Sequence, residues 1–401
     1  MVDLPTNNGK IVYPDYNNSL VNLTASILSA YETPVFHAPL KQIDTEELKS
    51  FDNIVLMIFD GLGLDQFDAY KAKHSSVLDQ YQLPFITSVC PASTPSALTS
   101  IMTGKTPLEH GILGWILFFK EFGQYIEILP MLDHADSEML RPSNYDLLER
   151  LKMDNIYQQI NRANPQIELY KIVPLEIANS YYTREMTKPG QIYAYREIDR
   201  LFKKLTKIIT TKSKKKKFIH TYSTNPDLLS HVEGAKSPAV MRCIGIIEKQ
   251  METMLKKIKG TNTAILMTSD HGLIDIEKTY LVNDDSDIYD SMIMPTFPEK
   301  RFFSFFVKKH REAIFNEHIQ KYKDDFLILN REDFFASGLL GKGIPNKKID
   351  DFIGDTILIA TSTAQKQTVF EQRGHSIFPL KAHHAGLTRE EMILPLFYIK
   401  P

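Results

Sequence analysis

Cysteine is scarce in this chain, with Cys90 and Cys243 the two thiols in 401 residues. Two thiols cannot build a disulfide framework, and their scarcity suits a reducing compartment. Tryptophan is scarcer still, with Trp115 alone. No apolar run approaches the roughly 18 residues that cross a bilayer. The opening stretch MVDLPTNNGKIVYPDYNN lacks the basic-then-apolar order of a secretory signal, so the chain reads as cytoplasmic with no membrane partner. The net charge of −2 removes bulk electrostatics as a reason to bind nucleic acid, and no stable nucleic-acid complex is expected. The one basic cluster, Lys212 to Lys217 interrupted by Ser213, reads as a solvated loop ahead of a buried strand.

What is present is ordinary globular material: 43% hydrophobic and 24% charged residues, with 18 Gly and 21 Pro. A chain of this length can bury a sizeable core without a staple. Short apolar runs bounded by turn residues read as buried strands: Asn53–Phe59, Phe218–Tyr222, Thr263–Ser269, Asp355–Thr361 and Ile393–Ile399. Between them lie helical patterns, most clearly Ala239–Ile258. Continuous apolar strands alternating with helices predict an α/β fold, its mostly parallel sheet covered on both faces. We take residues 1–401 as one catalytic domain. The stretch 277–372, rich in Asp, Lys and Phe, is expected to be an inserted cap over the site.

The chemistry sits where strands end. β-strand runs lead into Asp60-Gly61, towards Asp227, and into Asp270-His271-Gly272. Ligands of open α/β sheets bind beyond the carboxyl ends of the strands, so these residues can converge on one edge. Asp227 and His231 stand four apart, on one face of a helix. His383-His384-Ala385-Gly386 precedes the last strand. Singly, each has a bland reading: a helix N-cap, a polar strand end, an exposed pair, a surface turn. A carboxylate and imidazole set of this size, however, is enough to hold two cations roughly 4 Å apart across an in-line displacement. The candidate nucleophile lies in CPASTPSALTS, residues 90–100. A hydroxyl at a helix start gains from the positive helix end, although Ser93 or Thr94 acting only as a cap is the simpler reading of that stretch alone.

The segments IFDGLG, STPSALTSIMTGKTPLEHGILGW, NPDLLSHVEG, TSDHGL and HHAGLTREEMILP together resemble the alkaline phosphatase superfamily. The resemblance is to its nucleotide pyrophosphatase and type I phosphodiesterase branch, and it runs from about Asn53 to Pro395. It implies a three-layer α/β/α sandwich, Thr94 as nucleophile, and two divalent cations, most often Zn2+, with Mn2+ or Ca2+ as alternatives. Asp60, Asp270 and His271 match one metal site, which also touches Thr94; Asp227, His231 and His384 match the other. His384 is chosen over His383 by its adjacency to the small-residue turn. The family's phosphate-holding Asn falls here on Trp115, which becomes a candidate substrate contact able to stack on a ring. Sulfatase spacing fails, because Ala97 stands where an Arg belongs. No Arg lies between Thr94 and Gly111 to clamp a monoester dianion.

The expected function is therefore a two-metal hydrolase of small phosphoesters, a phosphodiesterase or pyrophosphatase working through a phosphothreonine. Alternatives on the same site are a phosphonate hydrolase and a phosphomutase or phosphotransferase. A metal-binding protein without catalysis is a further alternative, though it would have no use for Thr94 beside a cation. Cys90 reads as a small buried hydrophobe.

Overall fold

The computed structural model describes residues 4–5, 9–134, 153–367 and 380–401. Part of the expected cap, residues 368–372, lies outside them. Strands β1 (Asn53–Phe59), β2 (Gln82–Thr87), β3 (Glu168–Pro174), β4 (Gln191–Tyr195), β5 (Lys217–Ser223), β6 (Thr263–Thr268) and β7 (Ile393–Ile399) build one sheet. Its order is β2-β7-β6-β1-β5-β3-β4. β1 runs parallel to β5 and β6, and β3 parallel to β4 and β5. β7 alone runs against its neighbours β2 and β6. The mostly parallel sheet expected from the sequence is therefore the observed one.

The sandwich follows from side-chain alternation along the strands. In β1, Ile54, Leu56 and Ile58 enter one apolar cluster, while Val55, Met57 and Phe59 enter another on the opposite face. The helices that concern the site are α1 (Leu20–Ala30), α2 (Leu64–Lys71), α3 (Thr94–Thr103), α4 (Ile156–Ala163), α5 (Ile198–Thr210), α6 (Asp227–Glu233) and α7 (Pro238–Ile258). α1, α3 and α4 cover the first face; α2, α5 and α7 cover the second. α7 shows the cause plainly. Val240, Ile244, Ile247, Met251, Met254 and Ile258 are buried at alternating four- and three-residue spacing, one stripe of a helix. Ser237 caps it by accepting the Val240 N–H, Pro238 fits its first turn, and Lys256 and Lys257 face the negative end.

A second, four-stranded antiparallel sheet orders residues 297–298, 302–305, 356–360 and 326–330. Phe303, Phe305, Phe315, Tyr322 and Phe326 form its own core. The apolar run around 356–360 belongs here rather than to the large sheet. Its Ile357 and Ile359 pack into the main core while Leu358 and Ala360 face the smaller one, so it is as continuously apolar as a central strand. The basic loop behaves as expected: Lys212, Lys214 and Lys215 are exposed, and Lys217 enters β5 buried. Its ammonium donates to the carbonyls of Ile208 and Thr211 at 2.8 and 2.6 Å.

Candidate active site

Three parallel strands deliver the carboxylates. β1 ends into Asp60, and the chain reverses at Gly61, whose φ of 73° suits glycine. A Cβ at Gly61 would also stand 2.7 Å from that of Asp227, so glycine brings the two acids together. β5 leads to Asp227, the first residue of α6. β6 leads through Ser269 to Asp270 and His271. Gly272, expected to permit a turn, is needed for a different reason. Its φ is not positive, but a Cβ there would fall 2.0 Å from the Glu390 carbonyl oxygen. The short helix Arg389–Met392, which follows the His384 turn, is thus pressed against the strand end that carries His271.

The sequence-predicted residues come together around Thr94, the first residue of α3. Thr94 Oγ1 lies 3.0 Å from His271 Nε2. His271 Nε2 is also 3.4 Å from Asp60 and 3.7 Å from Asp270. Asp227 is 3.3 Å from His231 Nε2 and 3.9 Å from His384 Nε2. The His271 and His384 rings stack with centroids 3.8 Å apart. Two ligand-like groups result, Asp227–His231–His384 and Asp60–Asp227–His271; Asp227 stands between them.

The polarity of the hydrogen bonds is consistent throughout. His231, His271 and His384 each engage a backbone carbonyl through Nδ1, those of Ala382, Gly272 and Ala92 at 2.7, 3.0 and 3.2 Å. With Nδ1 donating, each ring turns an Nε2 lone pair into the site, as second-shell carbonyls do for metal-binding imidazoles. His383 is different. Its Nδ1 contacts only its neighbour, the His384 N–H at 2.9 Å and carbonyl at 3.1 Å; both rings line the cavity, but it is His384 that approaches Asp227. The carboxylates divide their oxygens in the same way. Asp270 Oδ1 accepts the N–H groups of Gly61 and His271 at 3.1 and 3.0 Å, and Asp60 Oδ2 accepts the Tyr222 hydroxyl. Asp60 Oδ1, Asp227 Oδ1 and Asp270 Oδ2 are buried and accept no hydrogen bond, facing imidazole Nε2 atoms at 3.3–3.7 Å.

Carboxylate oxygens without hydrogen bonds beside inward imidazole lone pairs could hold a divalent cation. The electrostatics agree. Burial, with Asp270 and Asp227 nearby, pushes the Asp60 carboxyl well above the usual range. Burial drives His384 well below the usual imidazole value, reinforced by the neighbouring histidines. Burial also acts on Asp227 and His231, but their mutual attraction outweighs it, lowering the acid and raising the base. The raised Asp60 and His231 reflect crowded acids that hold protons in place of a cation, and a bound cation would displace those protons.

A cavity of about 350 Å³ opens from Thr94, Asp227, His231 and His384 towards Trp115, Tyr125 and Phe297. Trp115 is 38% exposed, with its indole on the cavity wall rather than in the core. The second sheet supplies Glu299 and Lys300 to the same wall. Glu299 accepts the Trp115 backbone N–H at 2.7 Å, and burial raises its carboxyl to about 7. Sequence reading missed Glu299, which lies in no motif, and Tyr222, which reads as a strand residue of the run Phe218–Tyr222 rather than as an Asp60 partner. His110, from the His-Gly pair, is structural. It is fully buried, its Nδ1 accepts the Ile112 N–H, and its Nε2 bonds Ser100 Oγ, both at 3.0 Å. Cys90 is fully buried and its thiol is raised by that burial, as a small hydrophobe.

The type I phosphodiesterase / nucleotide pyrophosphatase family model matches residues 54–362. The chain belongs to that family, within the alkaline phosphatase superfamily. Among solved structures it is similar to murine ectonucleotide pyrophosphatase / phosphodiesterase 5, with a TM-score of 0.63 and 15% identity over 87% of this chain and 88% of that one. An inactive threonine-to-alanine variant of the murine protein, in complex with AMP, gives 0.61 and 15% over 86% and 87%. Phosphonoacetate hydrolase from Sinorhizobium meliloti 1021, in complex with phosphonoformate, gives 0.60 and 16% over 86% and 89%. Likeness at these identities establishes the fold. No curated protein sequence matches the chain. No helix among the described residues is long and apolar enough to cross a membrane.

Proposed function

We propose that this protein is a two-metal phosphodiesterase or nucleotide pyrophosphatase-like hydrolase with Thr94 as its nucleophile. The observation that carries the reading is the set of oxygens without hydrogen bonds on Asp60, Asp227 and Asp270, ringed with inward imidazoles around Thr94 Oγ1. Asp60, Asp270 and His271 would hold one cation within reach of Thr94; Asp227, His231 and His384 would hold the other. The mixed carboxylate and imidazole donors suit Zn2+ best, with Mn2+ and Ca2+ as alternatives. When bound, such cations lower the pKa of an attacking hydroxyl and stabilise charge on the phosphoryl and leaving oxygens.

Thr94 attacks phosphorus in line as the ester bond opposite breaks, giving a phosphothreonine and the departing alcohol or phosphate. Water then attacks phosphorus, the Thr94 bond breaks, and the hydroxyl is restored. The N-terminal end of α3 holds the reacting phosphate near its positive pole. The inactive threonine-to-alanine relative that binds AMP supports the role of Thr94. Among the described residues the 350 Å³ cavity wall carries Lys300 and Lys366 but no arginine to clamp a dianion in bidentate fashion, so singly charged diesters should be preferred over monoester dianions. The stretch 277–372 is taken as a cap that places Glu299 and Lys300 over this wall. The unpaired thiols fit a cytoplasmic protein.

Elemental analysis of purified protein, then turnover of bis(p-nitrophenyl) phosphate against p-nitrophenyl phosphate, tests the reading; a clear advantage for the monoester overturns the diester preference. Thr94→Ala should lower kcat about 10³-fold or more with metal content nearly unchanged, and an active variant refutes the nucleophile. The likeness to phosphonoacetate hydrolase brings C–P cleavage into the same substrate panel. Transfer of phosphate to a sugar instead of water would identify a phosphomutase.

A further inference from the structure

A second and larger space, about 1210 Å³, adjoins the centre and shares Asp60, Thr94, Trp115 and Asp227 as part of its wall. Lys171 also lines it. This residue sits in the middle of β3, only 7% exposed, opposite His220 of β5. Its Nζ lies 2.9 Å from His220 Nδ1 and 5.8 Å from the Tyr222 ring centroid. The Tyr222 hydroxyl in turn donates to Asp60. Among the described residues, Lys171 has His220 as its polar partner and no carboxylate in ion-pair range.

This is an unusual arrangement. A buried ammonium is costly unless an anion compensates it, and a neutral imidazole does not. Burial brings Lys171 down to about 7 and holds His220 well below its usual value. The outer part of the same wall carries Arg184, Arg196 and Arg242 beside Glu176 and Glu197. The three guanidinium groups are exposed and, among the described residues, none has a side-chain partner. The space therefore pairs an acidic, cation-seeking end at Asp60 and Asp227 with a cationic remainder.

We propose that this cavity receives a second anionic group, phosphate or carboxylate, on the same molecule as the scissile ester, and that Lys171 is its receptor. The inference rests on the phosphoryl-ester reading above and narrows its substrate class to esters or anhydrides bearing a distal acidic group. A ligand anion would replace the missing carboxylate, and Lys171 would confer specificity without touching the reacting atoms.

The test compares thymidine 5′-(p-nitrophenyl phosphate), which has no second anion, with its 3′-phosphorylated and 3′-succinylated forms and with ATP. In the wild-type protein at least one doubly anionic ester should be favoured about 10- to 100-fold in kcat/KM, the range for a hydrogen bond to a charged group. The phosphate and carboxylate arms show which anion is read. Lys171→Met, an apolar replacement of similar length, should bring that ratio towards one. A wild-type ratio near one, or a ratio unmoved in Lys171→Met, overturns the proposal. Should that variant fail to fold, the wild-type ratio still decides, and the exposed Arg184→Ala gives a second reading of it. Cleavage without discrimination refutes the distal site alone; no cleavage of any ester refutes the hydrolase reading itself.

Discussion

Glu391 offers the sharpest test of how the two sheets are held together. Its carboxylate is fully buried and accepts from Arg301 Nε and Nη2 at 2.7 and 2.8 Å. It also accepts the Gly386 N–H at 2.8 Å, and the Thr388 hydroxyl and N–H at 2.7 and 3.1 Å. Arg301, itself 0% exposed, further donates to the Ser362 carbonyl at 2.9 Å and to that of Ala364. One ion pair thus ties the second sheet to the loop that presents His384. Glu391→Gln keeps the shape and removes the charge, leaving a buried guanidinium uncompensated at a cost of about 3–5 kcal/mol. With unfolding entropy near 2.1 cal/mol/K per residue, 401 residues convert about 4 kcal/mol into a Tm drop of about 5 °C. The assay is calorimetric unfolding of metal-free protein, so that bound cations do not mask the loss. The double variant Arg301→Met/Glu391→Leu should recover most of it, since apolar replacement of a buried pair is often neutral. A single variant that melts within 1 °C of wild type, or a double variant no better than the single, refutes this account.

Other outcomes follow from the same geometry. Tyr222→Phe removes the donor that orients Asp60 and should weaken metal affinity or activity about 10- to 100-fold; zinc titration monitored by calorimetry would show it, and unchanged affinity would not fit. Gly272→Ala drives a methyl into the Glu390 carbonyl and should cost more than about 3 kcal/mol, seen as a lowered urea midpoint even without metal. His110 is buried neutral, its pKa lowered to about 3 by burial. Between pH 6.5 and 3 the unfolded chain binds the extra proton, so stability falls with falling pH by about 1.4 kcal/mol per unit for this group. Denaturation curves of His110→Asn between about pH 5.5 and 4 should have a slope shallower by about one proton, and an identical slope would exclude His110 as a source.

The parts of the fold visible in the sequence are those where burial covers both faces. Asn53–Phe59 and Ile393–Ile399 are continuous apolar runs, and both strands have those limits. β2 and β4, at the sheet edges, are QLPFIT and QIYAY, half-exposed sequences with no clear period. β3 escaped notice because Glu168 and Lys171 interrupt it; only the cavity and His220 make a lysine tolerable there. Direction is not a compositional property, so nothing in ILPLFYI announces that β7 runs antiparallel. The metal-type side chains were legible because Asp and His at strand ends are uncommon in conjunction. Tyr222 and Glu299 were not, since their roles depend on contacts 162 and 184 residues away in sequence.

β7 lies inside the sheet, between β2 and β6, yet it follows every other strand of that sheet along the chain. During synthesis β6 therefore waits with an open hydrogen-bonding edge until residue 393 and beyond have left the ribosome. His384 emerges only shortly before that closing strand. The nascent protein thus carries Asp60, Thr94, Asp227 and Asp270 together for more than a hundred residues of elongation before His384 joins them. Completion of the sheet and assembly of the clustered acids and imidazoles become a single late event, and a chain stalled before it would hold neither a sealed edge nor a finished cluster.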